Sequence, residues 1–206
     1  MASRLLPIFP LSFVLLPAMS LPLHIFEERY KEMMADIIEE GGEFGVVFAQ
    51  KDGIVNVGCS AKIDRVVNRY ADGRLDVLTT GQRRFQISSL DEEKSYLRAD
   101  VSYFGDEDTR EASPELQAKA IEGYRQLLQI ERPEVIEEEK LERSRLSFHV
   151  AQYIYDLEKR QTVLALRSEV ERLEFLVKII PEYIVRQERM ARAKRVGPQN
   201  GHAKPN

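Results

Sequence analysis

The stretch that decides the fold is residues 10–30, which read PLSFVLLPAMSLPLHIFEERY. Pro10, Pro17 and Pro22 divide its apolar run into short pieces, and because proline interrupts helices these pieces are expected to be strands and loops. We predict strands at 5–9 and 21–26. From Phe26 onward, helical spacing places one apolar face at Tyr30, Met33, Met34, Ile37 and Ile38, with Gly41-Gly42 as the helix end.

Composition limits the classes of protein to which the chain can belong. The 206 residues are 43% hydrophobic and 31% charged, which suits one large globular domain or two small ones. The net charge of −4 argues against nucleic acid and anionic membrane as general partners. The single cysteine, Cys59, excludes an internal disulfide and fits a reducing compartment, so we expect a cytoplasmic protein.

The amino terminus has an alternative interpretation as a signal peptide, because Arg4 precedes an apolar run. The prolines within that run argue against it, since the core of a signal peptide is helical. The chain contains no apolar run of the length that a membrane span needs, about 18 residues, and we therefore expect no transmembrane segment.

Strand patterns follow the first helix. Residues 44–49 (FGVVFA) are apolar on both faces, which is typical of a central strand, whereas 57–64 alternate between apolar and small or polar residues. Asp72-Gly73 lies between two apolar segments and predicts a two-residue hairpin. Further alternation at 84–88 and 97–103 brings the total to six or seven short strands. With one helix, these strands predict a small curled sheet or barrel.

The second half of the chain has helical character. Ser113-Pro114-Glu115 is a helix start, and a charged stretch at 131–143 separates this helix from an apolar stripe that runs from Leu146 to Leu157. A short helix at 159–166 and a long final helix, kinked or broken at Pro181, are expected next. We predict a β subdomain at 1–107, a helical bundle at 108–196 and a disordered tail at 197–206.

Four local patterns resemble the N-terminal, substrate-binding domain of Lon proteases. They are LPLHIFEERY at 21–30, FGVV at 44–47, the Val57-Gly58 strand with the Asp72-Gly73-Arg74 turn, and TGQRRF at 80–85. Their order and spacing also match, and the resemblance is strongest over 5–104. Two positions depart from the family pattern: Ala18 stands where glycine is usual, and Glu28 stands where proline is frequent.

The resemblance implies an α+β fold, in which a PUA-like β pseudo-barrel is followed by an α-helical bundle. In Lon proteases this region contacts substrates and supports oligomer assembly. The sequence has no G-x-x-x-x-G-K-[ST] loop and no region similar to the serine–lysine protease domain. We therefore expect a stand-alone, non-enzymatic polypeptide-binding module that acts as an adaptor or modulator of proteolysis or as a weak holdase. Its expected partners are unfolded client polypeptides and a full-length Lon protease, and homo-oligomerisation is left open.

Single residues give little indication of chemistry. His24, His149 and Cys59 are interpreted as structural, because none has a partner at metal-ligand or nucleophile–base spacing. We expect no catalytic residue, metal or cofactor, and a hydrolase is the weakest hypothesis. Residues 137–139, all glutamate, are interpreted as a solvated face.

An RNA-binding PUA-like module is the alternative function. It rests on the basic end of the last helix, which carries Arg186, Arg189, Arg192, Lys194 and Arg195. Cations at a helix C-terminus are also favoured by the helix dipole alone, and we prefer that interpretation.

The candidate polypeptide-binding residues lie in the proline-rich loop. They are Phe13, Val14, Leu15, Leu16 and Met19. If some of these apolar side chains are exposed, they form a patch suited to holding an unfolded chain. The alternative is that residues 13–16 all belong to the core.

Overall fold

A computed structural model of the chain describes residues 5–131 and 145–196, with side chains for 5–130 and 145–190. Within these residues the strands and helices follow in the order β1 (Leu6–Leu11), β2 (Ser20–Ile25), α1 (Glu28–Glu40), β3 (Glu43–Gln50), β4 (Gly53–Arg69), β5 (Leu75–Asp91), β6 (Arg98–Tyr103), α2 (Pro114–Glu131), α3 (Leu146–Ala151), α4 (Leu157–Ala165) and α5 (Glu169–Val196). The α+β class predicted from the sequence is confirmed.

The chain divides into two compact units. The first comprises Met1–Asp108 and Tyr155–Arg167, and the second comprises Thr109–Ile154 and Ser168–Asn206. Helix α4 therefore belongs to the first unit, although it falls within the range 108–196 that the sequence assigned to the helical bundle. The predicted tail at 197–206 lies outside the described residues.

The six strands form a sheet that closes on itself. Their order is β2-β5-β4-β3-β1-β6, and β6 pairs again with β5. Closure depends on the length of β5, which pairs with β2 through Leu75–Thr80 and with β6 through Phe85–Asp91. Register shifts between β4 and β5 bend both strands. The result is a five-stranded pseudo-barrel that carries β2 as an additional strand.

The hairpin between β4 and β5 differs from the predicted one. Its loop has three residues rather than two, because the N–H of Tyr70 donates to the carbonyl of Arg74 and the N–H of Gly73 donates to the carbonyl of Tyr70. Gly73 has φ +83°, a conformation that glycine adopts without a steric penalty. The Asp72-Gly73 pair thus marks the turn correctly, but as a turn followed by a left-handed glycine.

Helix α1 covers the barrel as the sequence predicts. Its buried side chains are Tyr30, Met33, Met34 and Ile37, and Gly41 ends the helix with φ +68° and an N–H that donates to the carbonyl of Ile37. The core inside the barrel is built from residues of four strands, namely Leu6, Ile8, Val47, Phe85 and Ala99.

In the described residues, the second unit contains α2, α3 and α5. The hydroxyl of Ser113 accepts the N–H of Leu116 at 3.2 Å, which confirms the helix start predicted there. At the start of α5, the hydroxyl of Ser168 accepts the N–H of Glu171 at 3.3 Å. Helix α5 continues through Pro181 without a break. The stripe predicted from Leu146 to Leu157 is divided, because α3 ends at Ala151. In the described part of the chain, no helix has both the length and the apolar character needed to cross a membrane.

Candidate functional site

The TGQRRF segment at the centre of β5 organises the first unit. Arg84 is buried, and its guanidinium donates to the carbonyls of Leu164 and Leu166 at 3.2 and 2.5 Å and to the Asp106 carboxylate at 2.6 Å. These bonds attach the end of α4 to the barrel. Phe85, the next residue, lies in the core. This segment therefore has a structural role, since its polar groups are satisfied within the unit.

The proline-rich loop is largely part of the core. Val14, Leu15 and Leu16 are each at most 1% exposed, so in this structure these three predicted binding residues cannot contact another polypeptide. Their burial follows from the close approach of the loop to β5. Phe13 and Met19 remain half-exposed, and the Phe13 ring lies 5.2 Å from the guanidinium carbon of the buried Arg160. Only Phe13 and Met19 therefore remain as candidates from the predicted set.

A group of exposed rings lies where β2 ends beside the β4–β5 hairpin. Phe26 is 61% exposed and Tyr70 39%. The His24 ring is stacked near Phe26, with centroids 6.0 Å apart, and meets Tyr70 edge to face, also at 6.0 Å. We call these three residues, His24, Phe26 and Tyr70, the aromatic surface.

Asp76 fixes the orientation of two of these rings. Its carboxylate lies 2.6 Å from Nδ1 of His24 and accepts hydrogen bonds from the Tyr70 hydroxyl at 2.7 Å and the Asn68 amide at 3.2 Å. The hydrogen bonds from His24 and Tyr70 lower the pKa of Asp76, and the bond to Asp76 raises the pKa of Tyr70. The aromatic surface is thus held in place before any ligand arrives, which reduces the entropy lost on binding.

Strand β2 forms one edge of this surface. Among the described residues it pairs with β5 alone, in a regular antiparallel register from Ser20–Thr80 to Ile25–Leu75. Its burial alternates, with Ser20, Pro22 and His24 exposed and the residues between them partly or fully buried. An edge strand of this kind presents backbone donors and acceptors to the surroundings.

The charged residues around the aromatic surface are paired within the chain. Glu27 lies 2.8 Å from Arg29, Glu28 lies 2.8 Å from Lys31, and Asp72 lies 2.7 Å from Arg74. Such exposed pairs contribute little to stability. These six groups together carry no net charge, because each acid is paired with a base.

A second concave region lies in the first unit, between the end of α1 and the strands β5 and β6. This cleft has a volume of about 900 Å³. Its wall carries both signs of charge, and two of its ion pairs are Lys94–Asp36 at 2.6 Å and Arg83–Glu43 at 3.3 Å. Because these cations already have carboxylate partners, the cleft lacks the concentrated single-sign charge that a phosphate or nucleic-acid site requires.

Of the three residues interpreted as structural, His24 belongs to the exposed aromatic surface, whereas Cys59 and His149 lie elsewhere. Cys59 is fully buried in β4, and burial raises the pKa of its thiol to about 12. Nε2 of His149 lies 3.1 Å from the Tyr124 hydroxyl within the second unit. No group of three or more histidine, cysteine or carboxylate side chains suited to a metal ion occurs among the residues that the structure describes. The glutamates at 137–139 lie outside these residues.

The architecture is that of an α+β protein in which a β pseudo-barrel carries an exposed aromatic surface beside an open strand. The family model of the ATP-dependent protease La (LON) substrate-binding domain matches residues 5–182. The chain therefore belongs to the LON substrate-binding domain family, as the sequence patterns indicated.

Individual relatives agree with this assignment. The chain is 30% identical over 122 residues to a Lon protease of Flavobacterium johnsoniae and 25% identical over 126 residues to Lon protease 2 of Syntrophobacter fumaroxidans. These matches cover 55% and 57% of this chain, but only 15% of each relative. The chain thus corresponds to a small part of the curated Lon proteases that it matches.

Solved structures match over nearly their whole length. The Lon N-terminal domain protein from Xanthomonas campestris superposes with a TM-score of 0.69 at 25% identity, covering 85% of this chain and 98% of that one. The N-terminal domain of the Mycobacterium avium complex Lon protease gives a TM-score of 0.63 at 20% identity, covering 87% and 100%. The second comparison supports the fold alone.

Sequence reasoning missed the aromatic surface. Phe26 was interpreted as the start of an apolar helical face, whereas helix α1 begins at Glu28 and Phe26 points outward. The available signal was the alternation in β2: Ile25 is buried, so the next side chain belongs to the exposed face. Tyr70 and Asp76 gave no comparable signal, because only the hairpin geometry brings them to His24.

Proposed function

We propose that this protein recognises polypeptides through the aromatic surface, without catalysing a reaction itself. The observation that carries the proposal is the exposure of Phe26, since a phenylalanine ring that is 61% exposed beside the exposed His24 ring is costly to leave in water. Membership of the LON substrate-binding domain family supports the same class of function.

The physical basis is burial of apolar area in a preformed site. Covering the exposed part of the Phe26 ring would contribute roughly 1–2 kcal/mol. Tyr70 adds a rigid ring with few rotatable bonds, and aromatic residues of this kind are frequent anchors of protein interfaces. Local charges are paired, so clients would be selected for accessible apolar segments, which folded proteins bury and unfolded ones expose.

The cellular role follows from the family rather than from the site. We propose that the protein is cytoplasmic and acts as an adaptor or modulator of proteolysis, delivering clients to a full-length Lon protease or withholding them from it. The test is degradation of an unfolded substrate by purified Lon protease with increasing amounts of this protein. A concentration-dependent change in rate is expected, and an unchanged rate would contradict the adaptor role.

Binding itself is tested with a fluorescently labelled, reduced and alkylated lactalbumin as the unfolded probe. Phe26→Ala is expected to weaken binding about tenfold, which corresponds to about 1.4 kcal/mol. Leu90→Ala is the matched control, because Leu90 is also an exposed apolar residue, 47% exposed, near the opposite end of β5. Equal affinities for the two variants and the wild type would contradict the proposal. The same preparation is tested with single-stranded RNA at low salt, where retention that falls with Arg189→Ala would favour the RNA-binding alternative.

A further inference from the structure

Resting on the proposed function, we infer that the client binds as an added strand along the open edge of β2, so that its backbone extends the sheet. The ligand would be an extended segment of an unfolded polypeptide, held by main-chain hydrogen bonds and by apolar side chains at alternate positions.

The direction of the β2 backbone groups can be determined from two independent observations. The N–H of Gly81 donates to the carbonyl of Met19 at 2.9 Å, so residue 19 directs its carbonyl toward β5. In an antiparallel ladder this direction alternates, and residues 21, 23 and 25 therefore bond to β5 as well. Pro22 has no N–H to contribute to a ladder, which fits its place among the residues that face away.

The outward-facing groups consequently belong to Ser20, Pro22 and His24. Ser20 and His24 each offer an N–H and a carbonyl, whereas Pro22 offers a carbonyl only. Among the described residues, β2 has no strand neighbour on that side. These three residues are also exposed to solvent.

The two faces of the edge determine which side chains an added strand would carry. Residues directly opposite each other in adjacent strands share a face. On one face the added strand would lie beside Leu21 and Leu23, which are half-buried, and on the other beside His24 and the aromatic surface. An added segment of about six residues matches the length of β2 and would gain most from apolar side chains beside Leu21 and Leu23.

Pro22 gives the edge a specific property. A continuous row of free N–H donors on an edge strand allows two copies of the same sheet to pair edge to edge. Proline on an edge strand is one of the features that prevent this pairing. Because Pro22 has no N–H, any strand added at this edge forms one hydrogen bond fewer at the centre. The binding of every client is weakened by the same amount, so clients bind reversibly. Pro22→Val supplies the missing N–H and is expected to strengthen client binding about fivefold.

The decisive experiment compares proline with alanine at an outward-facing position. His24→Pro and His24→Ala both remove the imidazole and its contact with Asp76, but only the proline removes the backbone donor. His24→Pro is expected to bind the alkylated lactalbumin probe about fivefold more weakly than His24→Ala, and Ser20→Pro about fivefold more weakly than Ser20→Ala. Urea unfolding midpoints within each pair should agree, because these N–H groups do not bond to β5.

Amide hydrogen exchange gives a second readout that does not depend on a variant. In the free protein the Ser20 and His24 amides are expected to exchange rapidly, while those of Leu21, Leu23 and Ile25 are protected by β5. Saturation with an unfolded probe peptide should protect Ser20 and His24.

The outcomes separate the two proposals. Strand addition is overturned if three results occur together: the proline and alanine variants bind alike, Pro22→Val does not strengthen binding, and the Ser20 and His24 amides stay unprotected. In that case weaker binding by Phe26→Ala would still support the proposed function. If the wild type binds no unfolded probe, both are overturned. If sedimentation shows a dimer that only the proline variants lose, the occupant of the edge is a second copy of the chain, and the inference of a client strand is wrong.

Discussion

The backbone N–H of Ala18 donates to the carbonyl of Gly81 at 2.8 Å, and the N–H of Gly81 donates to the carbonyl of Met19 at 2.9 Å. This pair of bonds fixes the end of the proline-rich loop to the middle of β5. The approach is so close that a Cβ on Gly81 would lie 2.1 Å from the carbonyl oxygen of Leu16. The loop residues Val14, Leu15 and Leu16 are consequently pressed into the core.

Gly81→Ala is expected to destabilise the first unit strongly. The obstructing atom is a backbone oxygen, which cannot rotate away as a flexible side chain could, so the loop or the strand must shift. We expect a loss of about 3 kcal/mol in the free energy of unfolding, measured by urea denaturation. Gly105→Ala is the matched control, because no atom lies within 4 Å of a Cβ built there. Similar unfolding midpoints for the two variants would contradict the account of the loop.

Ala18→Gly is expected to have the opposite effect. Ala18 has φ +61°, the only non-glycine residue with positive φ in the described residues, and this conformation brings its Cβ close to the backbone. Glycine removes that cost but adds entropy to the unfolded chain, so the net gain should be about 0.5–1 kcal/mol. Ala118→Gly on the exposed face of α2 is the control and should lose about 1 kcal/mol. A loss of stability with Ala18→Gly would show that the left-handed turn is unstrained.

Ala18, which stands where the family pattern has glycine, illustrates how much of the fold the sequence alone predicts. Ala18 does adopt a left-handed conformation. The period-two alternation at 57–64 correctly predicts a strand, but it is wrong about burial, because Gly58 and Ser60 are buried together with Cys59 and Ala61. The sequence does not determine whether the loop is buried, because its burial depends on contacts with β5, more than 60 residues away in sequence. The placement of α4 in the first unit depends in the same way on Arg84 bonding to carbonyls about 80 residues away. Neither contact produces a periodic pattern of residues from which it could be predicted.

The stability of the first unit should depend on pH through Asp36. Hydrogen bonds from Lys94 and Tyr96 lower the pKa of Asp36 below its usual 3.8. A carboxyl whose pKa is lower in the folded state stabilises that state fully above its unfolded pKa, and this contribution is lost as the pH falls below 3.8 toward the folded value. We therefore expect Lys94→Met to be less stable than the wild type at pH 7 and to lose less stability between pH 5 and pH 3.

Asp36→Asn provides the control for this interpretation, since it removes the titrating group and leaves a similar shape. In the Asp36→Asn background, Lys94→Met should change the pH dependence of the urea midpoint no further. A full additional effect of Lys94→Met in that background would show that Lys94 acts through a titrating group other than Asp36.

The Cys59 thiol is expected to be unreactive in the folded protein and to report on opening of the barrel. It is fully buried in β4, and burial raises its pKa to about 12, so at pH 8 almost none of it is the nucleophilic thiolate. Because the chain has one cysteine, iodoacetamide labelling followed by mass spectrometry measures this site alone. Labelling at pH 8 should be at least about a hundredfold slower in native buffer than in 8 M urea, since it requires opening of the strands around β4. Gly81→Ala should accelerate native labelling and Gly105→Ala should not, whereas fast labelling of the wild type would show that β4 is accessible without unfolding.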